Sequence, residues 1–170
     1  PVIGHLDGIC HIYIDDSSNP ETASKIVTNA KLRRTSICGA AETILIDEKC
    51  IDSHLPKIIS DLKSGGCEIR GDKKCKEKFD EIILASDDDW KTEYLDAIIS
   101  IRIVNGVEDA IDHIAKYGSG HTESIVSESK DSVEKFLNSV DSAIVMHNTS
   151  TQFADGGEFG LGAEIGIATG

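Results

Sequence analysis

Apolar and polar positions fall into blocks along the 170-residue chain, and the blocks switch between two periods. Ile9 to Ile14 is a short β-like run. Asp15-Asp16-Ser17-Ser18-Asn19 ends it, and Pro20 stands at the start of a helix carrying Ala23, Ile26, Val27 and Ala30 on one side. Thr43 to Asp47 reads as a strand, Leu55 to Leu62 as a helix stopped by Ser64-Gly65-Gly66, and Cys67 to Arg70 as a short strand before Gly71. Glu81 to Ala85 is a further candidate strand, and Ala97 to Val104 is a long Ile- and Val-rich run closed by Asn105-Gly106. From Val107 to Tyr117 the apolar positions 107, 110, 111, 114 and 115 have helical spacing. Glu123 to Ser127 reads as strand, Lys130 to Val140 as helix and Ala143 to His147 as a final strand. This repeated strand-helix-strand order predicts an α/β domain of three layers, a mainly parallel or mixed sheet with helices on both faces.

Composition narrows the partners. Thirty acidic residues against seventeen basic ones give a net charge of −13, which repels nucleic acid and anionic membrane alike. There is no apolar run of transmembrane length and no signal-like amino terminus, and a chain opening on Pro1 reads as a piece of something longer. Five cysteines (Cys10, Cys38, Cys50, Cys67, Cys75) lack any C-x-x-C spacing, and reduced thiols in the cytoplasm are the simplest expectation. Asp87-Asp88-Asp89 before Trp90 reads as a solvated loop or helix cap, because the acids are adjacent and no further ligand is in spacing; no metal site is expected.

The candidate chemistry centres on Cys38. It lies in the run Asn29-Ala30-Lys31-Leu32-Arg33-Arg34-Thr35-Ser36-Ile37-Cys38-Gly39-Ala40-Ala41-Glu42-Thr43, between a helical segment and an apolar one. Basic Lys31, Arg33 and Arg34, together with a helix-start setting, would favour a thiolate, and small Gly39, Ala40 and Ala41 would let a carbonyl approach the sulfur. Spacing alone leaves open that Cys38 is a small buried apolar residue. Near the carboxy terminus, Gly156, Gly157, Gly160, Gly162, Gly166 and Gly170 crowd a short tail that can bring backbone close to a ligand or serve as an interface loop. It is no nucleotide fingerprint, since Gly160-Leu161-Gly162 lacks the third glycine of G-x-G-x-x-G.

Four segments in order carry a resemblance: His5-Leu6-Asp7-Gly8-Ile9-Cys10-His11, the Asn29 to Thr43 run, Tyr117-Gly118-Ser119-Gly120-His121-Thr122-Glu123, and Asp155-Gly156-Gly157-Glu158-Phe159-Gly160-Leu161-Gly162-Ala163-Glu164. Together they resemble the gamma-glutamyl phosphate reductase (glutamate-5-semialdehyde dehydrogenase) family, a branch of the aldehyde dehydrogenase superfamily. The resemblance runs from Pro1 to Gly170 and implies the catalytic domain of a longer enzyme of proline biosynthesis, without its dinucleotide-binding domain and carboxy-terminal segment. It further implies an aldehyde-dehydrogenase-like fold and a parent that is a cytoplasmic homo-oligomer. Cys38 falls at the nucleophile position and would form a thioester with gamma-glutamyl phosphate, which NADPH, bound mainly by the missing domain, would reduce.

Other roles come only through that resemblance. Glu93 matches the superfamily glutamate that accepts hydrogen bonds from the nicotinamide ribose. His121, Asn148, Thr149 and Ser150 are implied substrate contacts. Gly4 falls where hydrolytic relatives place a glutamate base, an absence that suits an enzyme whose thioester must not be hydrolysed. His5 and His11 flank the first strand and read as structural unless they face Cys38. Two positions depart from the family: Gly39 replaces the usual Asn after the nucleophile. Gln152 replaces the usual Arg after the last strand, which would remove an anchor for a carboxylate or phosphate. These departures keep open a second reading, a non-catalytic remnant or stand-alone fragment acting as a folded or assembly module. A cysteine hydrolase is the third, and the chain shows no ordered Cys/His/Asn spacing for one.

Overall fold

A computed structural model describes residues 7–162. Its centre is a seven-stranded sheet: β1 (Cys10–Ile14), β2 (Ala41–Asp47), β3 (Glu68–Gly71), β4 (Ile83–Leu84), β5 (Ile98–Val104), β6 (Thr122–Val126) and β7 (Ile144–His147). The strands lie in the order β4-β3-β5-β2-β1-β6-β7, and each described pairing is parallel. The mixed sheet left open above is therefore a parallel one. Five helices connect the strands: α1 (Pro20–Leu32), α2 (Ile51–Ser64), α3 (Lys73–Lys78), α4 (Gly106–Tyr117) and α5 (Lys130–Ser139).

Period-2 alternation sends neighbouring side chains to opposite faces. Ile12, Ile14, Ile44, Ile46, Ile99 and Ile101 pack against Ala23, Val27, Leu55 and Ile58 of α1 and α2. On the other face Tyr13, Leu45 and Ile125 meet Ala110 and Ile114 of α4 and Phe136 of α5. Both faces are covered, which is why β1 and β2 are buried at every position.

Local chemistry sets the helix ends. Asn19 Oδ1 accepts from the Glu21 and Thr22 amides, with Pro20 in the first turn of α1. Asp72 and Ser129 cap α3 and α5 in the same way. Gly66 takes a left-handed φ of 79° in the turn after α2. The helix read at Leu55 to Leu62 begins four residues earlier, running on from a 3₁₀ turn over Glu48–Cys50, and tolerates Pro56 in its second turn.

Candidate active site

The site forms at the amino-terminal ends of the central strands. α1 stops at Leu32, and the chain crosses to β2 through residues 33–40, closing on a turn in which the Ala40 amide donates to the Ile37 carbonyl at 2.9 Å. Cys38 sits within this turn, half-buried, while Cys10, Cys50, Cys67 and Cys75 are buried. It follows a helix carboxy terminus instead of standing at a helix start, so the helix-start contribution to a thiolate expected above does not operate. Its basic neighbours are also engaged elsewhere. Lys31 is wholly buried and bonds Glu42 at 2.7 Å, and Arg33 pairs with Glu158 and stacks on Phe153.

Backbone packing fixes the place of Cys38. Gly8 lies so close that a Cβ there would stand 2.5 Å from the Cys38 carbonyl oxygen and 2.8 Å from its Cα. The Cys10 thiol donates to that same carbonyl at 3.1 Å and lies 3.7 Å from His121 Nδ1. Burial, followed by the nearby charge of Glu123, raises the Cys10 thiol well above its ordinary range, so it remains a neutral donor. The Gly-Ser-Gly turn expected before β6 clasps the first strand, since Ser119 Oγ accepts from the Ile9 amide at 2.9 Å. His121 is buried at the mouth of β6 and bonds Thr122 Oγ1 at 2.9 Å.

A register slip shapes the next layer. Cys10 pairs with Ala41 but His11 with Thr43, leaving Glu42 as the unopposed residue of a bulge. Its carboxylate turns to Lys31, and burial pushes it up to about 7 against the opposing pull of that lysine and of the Tyr94 amide. Glu93, half-buried in the loop before β5, is near enough that its charge contributes to the same rise. Glu93 thus stands at the same strand ends as Cys38.

The other expected positions divide. Asn148 lies at the opposite, carboxyl end of β6 and β7: its Oδ1 accepts from the Ser127 amide at 3.1 Å, and its φ of 51° is left-handed. The structure does not bring it to Cys38. From there the chain doubles back: Thr149 O accepts from Ser124 Oγ at 2.7 Å, and buried Ser150 opens a 3₁₀ turn over Thr151–Phe153 that returns to Gly39. Gln152 is buried with its amide nitrogen on the Ala30 and Arg34 carbonyls, so its donors meet the protein's own backbone and not an external anion.

His11 faces α4, bonding Glu123 at 3.0 Å and packing edge-on to His113, which is the structural role expected. Asp89 is buried instead of solvated, accepting from Arg70, Tyr94 and Ser86. Among the described residues no cluster of three metal-binding side chains occurs, and no helix is long and apolar enough to cross a membrane. Gly4, His5 and the tail from residue 163 lie outside the described residues.

Sequence reasoning set Lys31 beside Cys38 as a thiolate-favouring charge but missed its pairing with Glu42, and it missed the contacts of Gly8 and Cys10 with Cys38. Lys31 and Glu42 carried one available signal, two charges flanking the cysteine within a run otherwise turning apolar. Gly8 and Cys10 were visible only as members of the first resembling segment, because only the fold brings them to Cys38.

No protein-family model matches the chain. Its whole length is 58% identical to 40% of the gamma-glutamyl phosphate reductase of Parvibaculum lavamentivorans. A crystal structure of gamma-glutamyl phosphate reductase from Thermotoga maritima superposes with a TM-score of 0.95 at 45% identity, over 99% of this chain and 41% of that one. At 17% identity, where only the fold is shared, glyceraldehyde-3-phosphate dehydrogenase from Methanocaldococcus jannaschii, solved with NADP, gives 0.71 over 89% of this chain and 41% of that one. The chain spans about two fifths of the length of the curated relatives it matches.

Proposed function

We propose, from the premise that the chain is a portion of a gamma-glutamyl phosphate reductase, that residues 1–170 are the catalytic domain of such an enzyme. The reaction is reduction of gamma-glutamyl phosphate to glutamate-5-semialdehyde and phosphate, with Cys38 as nucleophile. Its sulfur attacks the acyl carbon, a C–S bond forms, the bond to the phosphate oxygen breaks, and phosphate leaves with the electron pair. The thiol suits both halves of the chemistry, since it attacks well and also leaves well when the reduced adduct collapses. NADPH, when bound, supplies the hydride.

This chain's residues fit a small share of that cofactor. Glu93 offers a half-buried carboxylate to ribose hydroxyls at the strand ends that carry Cys38. The described residues show no glycine-rich phosphate cradle ahead of a helix, so the remainder of the enzyme holds the rest. His121, Thr149 and Ser150 lie on the segments that converge on the Cys38 loop and are assigned to the glutamyl group. Asn148, held by Ser127, is left out of the site.

The observation that carries the reading is the placement of the half-exposed Cys38 on a loop packed against Gly8 and bonded by the Cys10 thiol, at the same strand ends as Glu93 and His121. The test is Cys38→Ser in the full-length protein, assayed as semialdehyde oxidation with phosphate. A fall of about a thousandfold or more is expected when the nucleophile is removed. Unchanged activity would remove Cys38 from the mechanism, and an inactive wild-type protein would favour the non-catalytic module.

A further inference from the structure

We infer that Gln152 is a positioning residue for Cys38, a staple that fixes the nucleophile loop from both sides. The inference rests on the assignment of Cys38 above. Where α1 ends, the Ala30 carbonyl loses the intrahelical donor it would have had in the Arg34 amide, and a helix end of this kind needs an outside partner. The Gln152 side-chain nitrogen supplies it, donating one hydrogen to Ala30 O at 2.7 Å and the other to Arg34 O at 3.0 Å. One carboxamide thereby joins the last turn of α1 to the start of the loop, four residues before Cys38.

The same turn touches the loop one residue after Cys38. Thr151 O would stand 3.3 Å, and Gln152 Cα 3.7 Å, from a Cβ on Gly39. Gln152 is itself set by Ser150, whose Oγ accepts from the Gln152 amide at 3.3 Å, and it is 4% exposed. The nucleophile loop is therefore gripped at Arg34 and Gly39 by a single three-residue turn, with the Cys10 thiol on the Cys38 carbonyl between them. What the position requires is an unbranched side chain ending in two N–H donors. Arginine meets that need, methionine has the length without the donors, and glutamate would set a carboxylate against two carbonyl oxygens.

Gln152→Met and Gln152→Arg in the full-length protein test this, with steady-state kinetics and amide hydrogen exchange. Gln152→Met should lower kcat about a hundredfold with KM little changed, the cost of about an ångström of misplacement at a reacting atom. Amides of residues 33–40 should exchange about tenfold faster, the scale of a lost hydrogen bond, while those of α2 and β5 stay as in the wild type. Gln152→Arg should restore both. Wild-type kcat and loop exchange in Gln152→Met would overturn the inference, as would faster exchange spread evenly over the sheet, or a failure of Gln152→Arg to restore. Should Cys38→Ser remain active, the nucleophile assignment falls, and loop exchange in Gln152→Met still decides whether Gln152 holds the loop.

Discussion

Burial separates Cys38 from the other thiols. Burial first, then nearby carboxylates, pushes Cys50 up to about 12, and desolvation pushes Cys67 up to about 11; Cys10 and Cys75 are raised as well. Thiolate is the reactive form, so limiting iodoacetamide should alkylate half-exposed Cys38 first, as read by peptide mass spectrometry. Earlier labelling of Cys67 or Cys75 would contradict this. Glu42 makes a pH-dependent prediction. Its carboxyl is raised from 4.5 to about 7 in the fold, so between those values the folded state keeps a proton that the unfolded chain has released. This group's contribution to stability therefore falls as pH rises through that window, by up to about 1.4 kcal/mol per pH unit. The stability of the wild type relative to Glu42→Gln should shrink between pH 5 and pH 8 in denaturant titrations; a growing difference would show that Lys31 outweighs burial. Cys38 was legible in the sequence, but the partners of its basic neighbours were not. Lys31 and Arg33 looked like free positive charge and are committed to Glu42 and Glu158, partners eleven and 125 residues away.

At the scale of elements, two glycines beside Cys38 make opposite predictions. Gly8→Ala would place a methyl 2.5 Å from a backbone oxygen, so the Cys38 loop must move. The expected cost is about 1–3 kcal/mol of stability, with most of the activity lost. Gly39→Ala meets Thr151 O at 3.3 Å, an approach that a few tenths of an ångström relieve, and should leave folding nearly intact. Thermal unfolding and activity of the pair distinguish the two; equal tolerance would mean that the segment leading into β1 does not press on the loop. Most elements were visible from period alone, because β1, β2, β5, α1 and α4 each carry a long apolar pattern. α3 was not: Lys73-Lys74-Cys75-Lys76-Glu77-Lys78 has one apolar residue, Cys75, and its helix depends on the Asp72 cap. The Glu81 to Ala85 strand shrinks to Ile83–Leu84 at the sheet edge, where pairing with β3 covers only two residues.

For the molecule as a whole, a parallel sheet with both faces covered followed from the alternation of elements, whereas strand order and the end that carries Cys38 did not. Open α/β sheets commonly bind ligands beyond the carboxyl ends of the strands, where the order switches direction. That crevice, between β1 and β6, is filled by the chain's own groups: Asp15 accepts from Ser17 and Ser127, and Ser17 Oγ accepts from the Glu128 and Ser129 amides. Asn148 belongs to this plug through its bonds to Ser127, and the resemblance alone had set it beside Cys38. The Cys38 loop instead lies at the amino ends of the strands. The 170-residue chain alone should accordingly fail to bind NADPH tightly. Calorimetric titration giving micromolar affinity would contradict that division and return attention to the glycine-rich tail. The most direct measurement of the central claim is an acyl-enzyme trap. Full-length protein is mixed with glutamate-5-semialdehyde and NADP⁺ without phosphate, quenched in acid and digested. The account predicts a gamma-glutamyl mass on the peptide bearing Cys38, released by hydroxylamine; an adduct on another cysteine, or turnover with Cys38 never acylated, would contradict it.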